Sequence, residues 1–96
     1  GMQIRVLQGV VNKQGYRLSI QASDAHYCSP REFLPLDKYT AMEMAVMDPE
    51  GNFVQIADVT DNQAIIDKFA DYEGDSVYGY IPVELIEELY QDSFNG

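Results

Sequence analysis

The sequence has no tryptophan, one cysteine and one histidine, and it sets only six Lys and Arg residues against sixteen Asp and Glu. The single cysteine, Cys28, excludes an intrachain disulfide and suits a reducing compartment, so the expected location is cytoplasmic. The single histidine, His26, excludes a paired-histidine metal site and leaves one imidazole to serve as a base. Apolar runs are a few residues long, so no membrane-spanning helix is expected, and no basic n-region precedes an apolar h-region, so no signal peptide is expected either. No internal repeat and no low-complexity segment is present. Gly1 before Met2 reads as the remnant of a cleaved tag. Residues 2–96 read as a single domain with room for one small core.

Acid is present in excess, and unevenly. Residues 1–38 hold five Lys or Arg against three acids, a net of +2; residues 39–96 hold Lys68 alone against thirteen acids, a net of −12. A chain with a net charge of −10 repels phosphates at long range, so direct nucleic-acid binding is not expected, whereas basic protein surfaces attract it. Solubility alone is the simpler account of such a surface.

Hydrophobic periodicity predicts the fold. Residues 3–11 read as a strand with Ile4, Val6 and Val10 on one face. A turn follows at 12–15. Residues 16–23 alternate cleanly, with Tyr16, Leu18, Ile20 and Ala22 on one side. Met42, Met44 and Val46 repeat this pattern, and Asp48-Pro49-Glu50-Gly51 is a turn sequence that returns Phe53, Val54 and Ile56 as a partner strand. Between these hairpins, residues 24–38 have no period, and Pro30 and Pro35 forbid a helix there. Phe33, Leu34 and Leu36 are expected to tuck beneath that connection. Thr60 and Gln63 resemble a capping box ahead of a helix carrying Ile65, Ile66, Phe69 and Tyr72, with Gly74 as its C-cap. A fifth strand at 77–81 precedes a second helix, which opens at Pro82 with Val83, Ile86, Leu89 and Tyr90 as its apolar stripe. Residues 91–96 are expected to fray. The prediction is an α+β fold: a small antiparallel sheet of four to five strands with two helices packed on one face, in the order β-β-loop-β-β-α-β-α.

Two stretches could carry function. In residues 26–32, His26, Tyr27, Cys28, Arg31 and Glu32 bring a thiol, an imidazole and a guanidinium into one loop, the ingredients of an activated nucleophile or of a ligand site. The plainer alternative is that His26 and Cys28 are packing and turn residues. A metal site would need ligands from elsewhere in the chain, and the sequence suggests neither metal nor cofactor. In the acidic half, Tyr78 and Tyr80 with Glu84, Glu87 and Glu88 suit a protein-contact face, the three glutamates lying on the exposed side of the last helix. The plainer alternative is that both tyrosines fill the second face of their strand. Asp71, Glu73 and Asp75 lack the loop pattern and distal glutamate of an EF-hand.

The segment DPEGNFVQ, residues 48–55, resembles the turn near the end of vicinal-oxygen-chelate modules, the glyoxalase and bleomycin-resistance group. The resemblance covers these eight residues and does not assign the chain to that group. It implies a metal-free binding member, because Gln55 stands where metal-dependent members carry a glutamate ligand.

Composition and motifs lead to three expectations. The first is an acidic interaction or regulatory protein that binds a basic protein partner, with nucleic-acid mimicry as its sharper form. The second is an enzyme or small-ligand module that uses the 26–32 loop. The third is a homodimer formed through a sheet edge or apolar face.

Overall fold

Period-2 alternation makes a strand wherever one face can be buried, and two such strands form the middle of this fold. A computed structural model describes residues 9–72, 74 and 77–95. Strand β2, Arg17–Gln21, pairs antiparallel with β3, Ala41–Met47, setting Leu18 against Val46 and Ile20 against Met44. These four side chains and Met42 are fully buried. Strand β1, Val10–Val11, takes the free edge of β2, and β4, Tyr78–Pro82, takes the free edge of β3. The sheet is antiparallel throughout, in the order β1-β2-β3-β4. The remainder of the expected first strand, residues 3–8, lies outside the described residues.

Helix α1, Gln63–Phe69, buries Ile65 and Phe69; helix α2, Val83–Leu89, buries Leu85, Ile86 and Leu89. Both sets join the apolar face of the sheet in one core. The Phe69 ring meets that of Tyr78 edge-on, with centroids 5.8 Å apart at 77°, a favourable aromatic geometry that fixes α1 to β4. The expected α+β architecture is therefore present, with four strands among the described residues and two helices.

The central hairpin differs from expectation. Its turn forms: Asp48 accepts the amides of Glu50 and Asn52 on Oδ1, and Gly51 sits at φ 87°. The Asn52 amide, foremost among these bonds, holds the Asp48 carboxyl below the ordinary carboxylate value. The returning segment pairs only at Phe53 with Met47 and through the Val54 amide to Val46 O, and then bends into a 3-10 turn at Ile56–Asp58. The reason is competition for an edge. β2 lines one side of β3 as far as Met47, so Phe53 must use the other side, which β4 already occupies from Ala41 to Met44. Ile56 goes into the core instead.

Other expectations give way to tertiary contacts. Asn62 caps α1, accepting the amides of Ala64 and Ile65, while Thr60, expected as the cap, is buried and donates to Asp92. The helix ends at Phe69 and tightens into a 3-10 turn, Ala70–Tyr72, so Gly74 is not its C-cap. Phe33 is 80% exposed rather than tucked away; the Tyr39 hydroxyl ties that loop instead, donating to Glu32 O and accepting the Leu34 amide. Of the segment expected to fray, residues 91–94 continue a helical turn and Gly96 lies outside the described residues. A π-helical turn, Tyr90–Phe94, follows α2 and buries Phe94.

Truncation to Ala of Ile20, Phe69 or Ile86, each fully or almost fully buried, should cost on the order of 2–5 kcal/mol in urea unfolding. A loss below about 0.5 kcal/mol at two of these positions would be the behaviour of surface residues and would contradict the shared core.

Candidate functional site

β3 and β4 fall out of step, and the exposed site arises there. Met42 pairs with Ile81 and Met44 with Tyr78, so Glu43 alone stands opposite both Gly79 and Tyr80. This is a β-bulge, which re-aims side chains. In a regular strand Tyr78 and Ile81, three apart, would face opposite sides. The additional residue turns both into the core and directs Tyr80 outward, 47% exposed. Tyr80 takes φ 55°, the left-handed conformation that a bulky side chain rarely adopts. Such backbone strain costs on the order of 1–3 kcal/mol and gathers at functional positions. Tyr78, expected to share a surface with Tyr80, is a core residue.

The 24–38 connection closes on this bulge. The Tyr80 amide donates to Tyr27 O at 2.9 Å, and the Tyr27 amide donates to Glu43 Oε1 at 3.2 Å. Gly79 makes room for the approach, since a Cβ there would stand 3.1 Å from Tyr27 Cβ. The Tyr27 and Tyr80 rings lie 6.0 Å apart at 43°, and the Arg31 guanidinium sits 5.2 Å over the Tyr27 ring. Tyr27 and Arg31 of the loop thus share one exposed patch with Tyr80, remote from them in sequence, and Glu43 lies behind it.

His26 and Cys28 take other roles. Ser23 organises both: its hydroxyl accepts the Ala25 amide and bonds His26 Nδ1 at 2.6 Å, while its carbonyl lies 3.0 Å from Cys28 Sγ. Cys28 is 1% exposed, its thiol faces carbonyl oxygens, and its side chain makes no bond to that of His26. This arrangement packs the thiol among carbonyl oxygens inside the protein. Glu32 is exposed and contributes its carbonyl to Tyr39.

The acidic glutamates lie apart from this patch. Glu84 is exposed, whereas Glu87 and Glu88 are half-buried, and Glu88 faces α1 through Lys68. Lys68, the one cation of residues 39–96, bonds both carboxylate oxygens of Glu88 at 3.0 Å. A groove of about 400 Å³ runs between these elements, floored by Tyr72, Pro82 and Leu85 and rimmed by Asp71, Glu84 and Glu88 beside Lys68. Asp71 lies in a 3-10 turn; Glu73 and Asp75, named with it in the sequence, fall outside the described residues.

A second concavity, about 430 Å³, lies between the 12–16 turn, residues 58–61 and the C-terminal turn. Asp92 organises it, accepting from Ser93 and Thr60 hydroxyls at 2.6 Å each and from Asn62. The Ser93 hydroxyl, then that of Thr60, holds the Asp92 carboxyl below its ordinary value of 3.8. Among the described residues, no three His, Cys, Asp or Glu side chains cluster closely enough to hold a metal ion, and no helix is long and apolar enough to cross a membrane. Gln55 caps the 56–58 turn, its amide donating to Asp58 Oδ2 at 2.9 Å.

The sequence reading missed Glu43, Ser23 and the bulge. One signal was available: Tyr78 and Ile81 are apolar at a spacing of three, with Gly79 between them, which a regular strand does not accommodate. Searches against family models, curated proteins and solved structures gave no match.

Two measurements check this geometry. Tyr80→Gly removes the left-handed strain and should leave thermal stability unchanged or raised by up to about 1 kcal/mol; a loss above about 2 kcal/mol would mean that ring packing alone holds Tyr80. Asp92→Ala should cost about 1 kcal/mol at neutral pH. Because the folded carboxyl titrates below 3.8, its contribution is present above that value and disappears as pH falls through the lowered one. The variant and the native protein should therefore converge in stability in strong acid, as read by urea melts across pH.

Proposed function

We propose that the protein is an acidic, cytoplasmic binding module that docks a basic protein partner on the groove beside α2. The observation that carries this reading is the make-up of that groove: an apolar floor of Tyr72, Pro82 and Leu85 under a rim of Asp71, Glu84 and Glu88. Lysine and arginine have aliphatic stems and charged ends, so such a site matches both parts of the side chain. The local charge supports it. Lys68 is held by Glu88, and Asp71 and Glu84 are exposed carboxylates within a half of the chain whose net charge is −12. Long-range attraction would speed encounter with a basic surface, and salt would suppress it as the screening length falls from about 10 Å at 0.1 M to about 3 Å at 1 M.

The experiment compares two double reversals of equal net charge, Asp71→Lys with Glu84→Lys, and Glu50→Lys with Asp61→Lys. Each is titrated with a fluorescent lysine- and arginine-rich peptide at low and high salt. The groove reversal should weaken binding at least about fivefold more than the distant one. Equal weakening by both pairs would leave net charge as the whole effect, and undiminished binding at high salt would remove the electrostatic account.

A further inference from the structure

In a chain with sixteen carboxylates and six Lys or Arg residues, a guanidinium has acids in surplus to pair with. Arg31 pairs with none among the described residues; it rests over the Tyr27 ring, 5.2 Å from the centroid. Tyr27 and Tyr80 are each about half exposed, and their rings incline at 43° across 6.0 Å. Glu43 brings a carboxylate oxygen to 3.2 Å from the Tyr27 amide nitrogen. Aromatic faces attract cations through their quadrupole, and a nearby carboxylate adds to the attraction. Gly79 and the left-handed Tyr80 bring the two rings together outside the core, and Arg31 over the Tyr27 face marks the kind of group such a ring attracts.

We propose that the Tyr27–Tyr80 pair is a receptor for an arginine side chain of the basic partner, and that Arg31 occupies it in the free protein as a built-in competitor. Arginine is favoured over lysine because its planar, weakly hydrated guanidinium stacks on aromatic faces, and Arg31 already lies over the Tyr27 face. An exposed contact of this kind holds its cation by a factor of roughly two to five, so an incoming arginine can displace Arg31. The affinity seen by that arginine is lowered by the fraction of molecules in which Arg31 is seated. The proposal extends the basic-partner reading to a second place on the surface and does not use the groove beside α2.

The test is a titration of isotopically labelled protein with Nα-acetyl-arginine amide, with the uncharged isostere Nα-acetyl-citrulline amide as control, following the amide resonances of Tyr27, Glu43 and Tyr80. The arginine compound should shift these resonances and citrulline should not. Arg31→Ala should bind roughly three- to sixfold more tightly than the native protein. Lys38→Ala, which removes the same unit of charge, should show no such gain, and Asp71→Lys with Glu84→Lys should bind as the native protein does. That last variant separates the two readings, because loss of peptide binding at the groove leaves the arginine response intact. An Arg31→Ala affinity no higher than that of Lys38→Ala, an equal response to citrulline, or no shift in either the native or the Arg31→Ala protein would overturn the proposal.

Discussion

β3 has two edges and three segments that could pair with them, and the placement of β4 on one edge governs most of what surrounds it. Between the Met42–Ile81 and Met44–Tyr78 pairs, β4 carries two residues where β3 carries one. Hydrogen-bond pairing alone would favour an unbroken ladder. The apolar side chains decide against it, because Tyr78 and Ile81 both reach the core only if the strand bulges. Burying a second large side chain contributes about 1.5–3 kcal/mol, comparable to the cost of a left-handed tyrosine at position 80.

The same bulge determines where the 24–38 connection lies. A long segment without its own period needs partners for its backbone groups. Tyr27 O finds the Tyr80 amide, the Tyr27 amide finds Glu43, and Ser29 bridges Ala41 at the end of β3. These bonds and the Tyr39 hydroxyl secure the connection, so Phe33 is left outside. Ser23 gathers the imidazole and the thiol at its base. The loop thereby becomes a support for an exposed aromatic pair, with its cysteine turned inward.

Charge acts on a different scale from these contacts. Short-range bonds fix individual carboxylates such as Asp48 and Asp92, whose oxygens are occupied by neighbouring donors. The acids at the groove rim are not all spent in this way. The proposed recognition of basic side chains thus joins two unlike elements: a long-range field that salt can screen, and an aromatic pair whose short-range attraction depends on ring geometry.

Local pattern was enough to determine the alternating faces of β2 and β3, the 48–51 turn, the apolar stripes of both helices and hence the α+β class, because burial of one face imposes a period that composition reveals. Even the charge division, the single thiol and the residues of the 26–32 loop could be read directly. What lay beyond local pattern was every outcome that depended on competition between distant segments. β4 displaced the expected strand at 53–56 from the edge of β3; Asp92 drew Thr60 away from capping α1; Phe94 pinned a terminus expected to fray. The union of Tyr27, Arg31 and Tyr80 was decided in the same way. The Tyr27 and Tyr80 rings meet because a sheet register and a loop closure coincide, and a register is a relation between strands that neither strand carries alone.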